Sequence, residues 1–140
     1  SADLNLNLST NALFHVVTET VYFLPKLHLT EKIFEPIVSR MPFVLVGPAH
    51  NLKYLREYGF KTFNGIIDES YDDEPDEAKR VNMIYTEIQK ICSMSKEDLH
   101  KWYWQMEDIY VHNYNFIQTY FTKDTHSLEM IKYLKDRVSI

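Results

Sequence analysis

The fold turns on the stretch between Leu13 and Pro48: LFHVVT (13–18), TEKIFEPIVSR (30–40) and FVLV (43–46) followed by Gly47-Pro48. LFHVVT is short, apolar and β-branched, which reads as a buried strand. Ile33, Phe34, Ile37 and Val38 recur at helical spacing, and Thr30 is the expected N-cap. Pro36 falls inside that helix, where it removes a backbone donor and bends or shortens the element. FVLV is apolar without alternation, as in a strand covered on both faces.

Outward from this unit, Asn51 is the expected cap of a short helix, LKYLREY, with Leu52 and Leu55 inward and Gly59 at its end. FKTF (60–63) reads as a third short strand, which GII (65–67) extends. Residues 68–77, DESYDDEPDE, hold seven carboxylates and no base, and read as a solvated loop. A helix follows from Pro75 to about Ser93, with Ala78, Val81, Ile84, Ile88 and Ile91 as its inner positions. Ser95 with Asp98 resembles a capping box opening a long helix to about Lys123, and a last helix covers Leu128 to Val138. Strand–helix–strand–helix–strand within about fifty residues predicts a parallel sheet. The expected class is therefore α/β, a Rossmann-like three-layer domain with a short parallel sheet and C-terminal helices. In domain terms this is one unit over 1–140, with an α/β core at 13–93 and closing helices at 95–140.

Composition sets the limits. A chain of 140 residues that is 45% hydrophobic suits a single domain that needs neither disulfides nor metals for its core. Its net charge of −5 is local: outside 68–77, thirteen acids face fifteen bases. Lys and Arg are scattered, so phosphate-backbone binding to nucleic acid is not expected. No run approaches the length of a membrane span. The single cysteine, Cys92, excludes an internal disulfide and reads as a buried or inert thiol. With no signal-peptide pattern at the start, the expected location is cytoplasmic.

In parallel sheets, ligands lie beyond the carboxyl ends of the strands. That rim holds Glu19 after the first strand and Gly47 to His50 after the second, and receives the helix start at Thr30, Glu31 and Lys32. A helix N-terminus favours anions; Lys32 works against the dipole alone but suits a bound phosphate, and Glu19 or Glu31 suits ribose hydroxyls. The plainer alternative is an ordinary capped helix with a solvated Glu–Lys pair. Asp68, Asp72 and Asp73 raise a divalent-cation reading, but no metal-loop spacing supports it, so no metal is expected. The six histidines show no paired-ligand spacing. His50 at the rim is either a phosphate or sugar contact or a turn residue.

FHVVTET, then LTEKIFEPIVSRMPFVLVGP, resembles the donor-binding half of the GT-B-fold glycosyltransferases, above all the α1,3-fucosyltransferases. Their pattern is Phe-Glu-Asn-Ser, about ten residues, Val-Thr-Glu-Lys and a helix, then a strand ending near Gly-Pro. Glu19 matches the first acid, and Thr30, Glu31 and Lys32 match the second motif, whose Glu and Lys hold the ribose and phosphates of a nucleotide-sugar in that family. Thr20 and Val21 depart from the Asn and Ser of the first motif. The likeness spans residues 13 to 70. It implies a nucleotide-sugar-binding domain, GDP-linked before UDP-linked, with no cofactor and no catalytic residue identified. It also implies half of a two-domain enzyme, inactive until a second Rossmann domain supplies the acceptor wall. The rival expectation is a non-catalytic interaction or structural domain, viral proteins included. The aromatic-rich helix 95–123 bears on both: Leu99, Trp102, Met106, Ile109, Phe116 and Tyr120 form one stripe. Trp104, Tyr110, Tyr114 and Phe121 fall off it, as if facing a second domain or a second copy.

Overall fold

A computed structural model describes residues 13–19 and 31–121 of the chain. The elements in order are β1 (His15–Thr18), α1 (Glu31–Val38), β2 (Phe43–Val46), α2 (Asn51–Tyr58) and a 3-10 turn, η1 (Ser70–Asp73). Then come α3 (Glu77–Cys92), α4 (Lys96–Gln105) and α5 (Glu107–Phe121). The expected cap at Thr30, the departures at Thr20 and Val21, and the expected helix at Leu128 to Val138 lie outside the described residues.

The two strands pair in parallel, with His15 opposite Phe43 and Thr18 opposite Val46, and α1 forms the crossover between them. All of β2 is buried or nearly so, whereas β1 leaves Val16 and Thr18 exposed. The apolar run FVLV therefore marked the inner strand. The described fold is mixed α/β, with five α-helices and a two-stranded parallel sheet.

FKTF is not a third strand. Phe60, Thr62 and Phe63 are buried as a strand would bury them, but side chains take the backbone groups that a ladder would use. The Asn113 amide accepts from Lys61 N–H and donates to Lys61 C=O, both at 2.8 Å. Glu69 Oε2 accepts from Phe63 N–H at 3.2 Å. A primary amide facing one residue in this way imitates a neighbouring strand over a single step, and the sheet stops there.

α1 keeps Pro36 within its length and buries Ile33, Ile37 and Val38. Its end is a left-handed cap carried by Arg40, at φ 56°. Arg40 N–H bonds Ile37 C=O and Met41 N–H bonds Pro36 C=O, the paired bonds that usually surround a glycine. Distant groups hold Arg40 there: Tyr103 Oη donates to its carbonyl at 2.7 Å, and its guanidinium lies 4.3 Å from the Tyr114 ring centre.

α3 keeps Ile84 and Ile91 inside as expected, with Ile88 partly buried, but not the whole expected face. Arg80, Ile84, Glu87 and Ile91 are its buried positions, while Ala78 and Val81 are exposed. Its cap is Asp76, whose side chain accepts from Lys79 N–H, so Pro75 precedes the cap and is not in the first turn. The Ser95 cap forms as expected, accepting from Asp98 N–H at 3.1 Å. The helix it opens does not reach Lys123, because Met106 (φ −100°, ψ 11°) breaks it. The break changes the helical phase: Tyr110, expected off the inner stripe, is buried together with Met106 and Ile117. Trp104, by contrast, is half exposed, at 51%. α1 packs against both β1 and α5, and α3 packs against β2. Edge-to-face contacts of Phe43 with Phe63 and Phe60 with Phe116 tie these layers together. Phe43, Phe60 and Phe63 are fully buried, and burying each stabilises the fold by about 1.5–3 kcal/mol.

Candidate functional site at the strand ends

The site grows from the last pairing of the sheet. Glu19 N–H donates to Val46 C=O at 2.9 Å, which carries the ladder one residue past β1 and fixes Glu19 beside the end of β2. Its side chain is buried, at 2% exposure. Gly47 follows, and its place is set by close approach: a Cβ there would stand 2.8 Å from Asn51 Nδ2 and 3.5 Å from Glu19 Cβ. Of the expected site residues, Glu19 and Gly47 do come together.

The turn into α2 differs from the expectation. Asn51 is the first residue of the helix, and the capping position is His50, left-handed at φ 71° and without a side-chain capping bond. The cap is supplied from twenty residues away: Asp72 Oδ1 and Oδ2 accept from Leu52 N–H at 2.9 Å and Lys53 N–H at 3.0 Å. His50 N–H in turn donates to Asp72 C=O at 2.7 Å. A carboxylate near these unpaired amides satisfies them and complements the helix dipole. Any phosphate site at the start of α2 is therefore filled by the protein itself. His50 turns its ring toward Asp73, with Nδ1 3.6 Å from Oδ1, and both side chains are exposed.

The acidic stretch is thus not a uniformly solvated loop. Glu69, Tyr71 and Asp72 are buried, drawn inward because Asp72 caps α2 and Glu69 bonds Phe63. Arg56 lies 3.6 Å from Glu69 and 3.9 Å from Asp72, and donates to Thr62 Oγ1 at 3.0 Å. Burial pushes the Glu69 carboxyl above its ordinary range, against the pull of Thr62, Phe63 N–H and Arg56. Burial likewise raises the Tyr71 phenol, reinforced by Glu69. His50, Asp72 and Asp73 bring potential ligand atoms within 4.8 Å of one another. Two of those three residues are already committed: both Asp72 oxygens to helix amides, and Asp73 to His50.

Two further residues at this rim escaped the sequence. Arg80, 6% exposed, donates from Nε to Gly47 C=O at 3.0 Å and from Nη1 to Glu74 C=O at 2.8 Å. Among the described residues it forms no ion pair. Asn51, 1% exposed, has neither Oδ1 nor Nδ2 hydrogen-bonded. The only signal for Arg80 was a charged residue four before Ile84 on a helix whose face had been assigned to Val81. On the other side, Lys32 sits exposed in the first turn of α1; the Glu31 side chain and Thr30 lie outside the described residues. Cys92, expected to be buried or inert, is exposed at the end of α3. No helix among the described residues is long and apolar enough to cross a membrane.

The arrangement presents a buried carboxylate, a close-approach glycine, an unpaired amide and a buried guanidinium around the carboxyl ends of two parallel strands. Comparison with protein families, curated proteins and solved structures finds no match to this chain.

Proposed function

We propose that the chain is a nucleotide-sugar-binding domain of Rossmann-like type, the donor half of a fucosyltransferase-like enzyme. The observation that carries this reading is the buried Glu19 carboxylate set against Gly47 at the carboxyl ends of β1 and β2, where parallel sheets receive ligands. In this reading Glu19 accepts from ligand hydroxyls. The α1 start with Lys32 takes the phosphates, and the Arg80 guanidinium adds positive charge behind the Gly47 turn. Asp72 occupies the other helix start, which leaves the α1 end as the phosphate position. Chemistry then belongs to a cleft completed by a second domain, since half a cleft lacks the positioning that carries most of the rate.

The test is titration calorimetry with GDP and then UDP. Saturation at about ten times Kd raises stability by about 1.4 kcal/mol and shifts melting by a few degrees. Lys32→Ala removes the shift and leaves the ligand-free melting point nearly unchanged. No heat with either nucleotide at millimolar concentration rejects the reading.

A second reading, an interaction domain, is favoured by the exposed Trp104 and Val111 on α4 and α5. Light scattering that gives a monomer at all accessible concentrations removes self-association from it.

A further inference from the structure

A strand has two edges, and the described fold uses one edge of β1. His15 N–H donates to Pro42 C=O and Glu19 N–H to Val46 C=O, both at 2.9 Å. In a parallel ladder alternate residues turn their backbone groups to the same side, so residues 15, 17 and 19 face β2. Val16 and Thr18 turn N–H and C=O the other way, where no strand pairs with them among the described residues. The side chains agree. Val16 stands opposite Val44 on one face of the sheet, yet Val44 is 0% exposed and Val16 46%. Thr18, on that same face, is exposed as well. The cover over β2 ends before it reaches β1.

A bare row of N–H and C=O groups recruits another strand unless a lysine, a proline or a bulge guards it. Phe14 to Thr18 contains neither residue, and its register with β2 is unbroken. What such an edge accepts is a strand with one apolar face. Residues 3–8 carry that pattern: Leu4, Leu6 and Leu8 alternate with Asp3, Asn5 and Asn7, the period of a half-buried strand. They also join β1 directly. A return over Thr10-Asn11-Ala12 sets Leu8 opposite Phe14, Leu6 opposite Val16 and Leu4 opposite Thr18. Hairpin loops of this length are common, and asparagine suits them. All three leucines then lie on the exposed face, with Leu8 beside Phe14, whose ring meets Trp102 edge-on. A slip of one residue would turn them to the other face. So short a tether gives the segment an effective concentration that a second copy does not reach.

We propose that residues 4–8 add to β1 as an antiparallel strand, closing the open edge of the sheet and covering Val16 with Leu4 and Leu6. The inference goes beyond the nucleotide reading and does not depend on it.

Amide hydrogen exchange of the full chain, followed by NMR, tests this at single residues. Val16 and Thr18 N–H are protected in wild type, although β2 does not bond them. In Leu4→Asp/Leu6→Asp their protection falls about tenfold or more, while Val17 N–H, which faces β2, keeps its own. Free exchange at Val16 and Thr18 in wild type overturns the proposal, and so does protection that survives in the variant. Should that variant fail to fold, Leu6→Cys with Val16→Cys in a Cys92→Ser background gives the answer. Residues paired across two strands lie within disulfide reach, so oxidation yields a bond within one chain. A bond between two chains, or none, overturns the proposal.

Discussion

The two ends of α2 are built from the same kind of material and finished differently. At its C-terminal end every visible backbone demand is met. Gly59 adopts φ 112°, its N–H bonds Arg56 C=O, Phe60 N–H bonds Leu55 C=O, and His112 Nε2 sits 2.9 Å from Gly59 C=O. Asn113 then serves Lys61 on both sides. At its N-terminal end the cap is borrowed from Asp72, His50 is held in a left-handed conformation that favours glycine, and Asn51 keeps an unpaired amide. One end spends its side chains on holding α5 in place. The other carries a left-handed His50 and an unpaired Asn51 amide close to Gly47.

Breaking the finished end carries the largest expected effect. Gly59→Ala places a Cβ 2.6 Å from the Phe116 ring at a positive φ, so strain and overpacking together cost about 3 kcal/mol. Chemical denaturation reads this loss. A loss under 1 kcal/mol means that Phe116 yields and that this end is looser than described. Asp72→Ala attacks the other end. It frees the amides of Leu52 and Lys53 for a cost of about 1–2 kcal/mol, and it opens the start of α2 to anions. Tighter inorganic phosphate binding by this variant than by wild type confirms that Asp72 occupies an anion position; unchanged binding refutes it.

The smallest effect is a pH slope. Burial raises the Glu69 carboxyl above its ordinary value of 4.5, so the folded chain holds that proton more tightly than the unfolded chain does. Its contribution is therefore fully present at low pH and declines as pH climbs from 4.5 through the raised value. The stability of wild type minus that of Glu69→Gln should fall with rising pH over that window, in paired urea melts. A difference that grows with pH shows that Arg56 and the hydrogen bonds outweigh burial.

How much of this was legible depends on the distance over which each feature is decided. FVLV, the helix through Pro36 and the Ser95 cap are decided within a few residues, so pattern and capping chemistry reveal them. The placement of Glu19 with Gly47 follows from a general rule about parallel strands. FKTF failed as a strand because Asn113, fifty residues on, competes for its backbone, and no local pattern records that. Asp72 looked like one acid among seven, since what distinguishes it is the helix start it meets in space. The inner face of α3 was legible at Ile84 and Ile91 but not at Arg80 and Glu87, polar residues with dedicated partners: Glu87 accepts from Asp68 N–H and from Lys90. The phase change at Met106 hid the burial of Tyr110 in the same way.

The left-handed Arg40 bears on the order in which the chain assembles. A glycine there would let α1 stop by itself, but an arginine in that conformation is unfavourable until something holds it. What holds it comes from Tyr103 and Tyr114, more than sixty residues away. The end of α1, and with it the turn into β2, is thus completed only once α4 and α5 have docked. Closing that cap therefore depends on contacts of long sequence separation, and contact order of this kind slows folding. Arg40→Gly should uncouple the two, speeding the folding limb of a chevron more than it changes the unfolding limb.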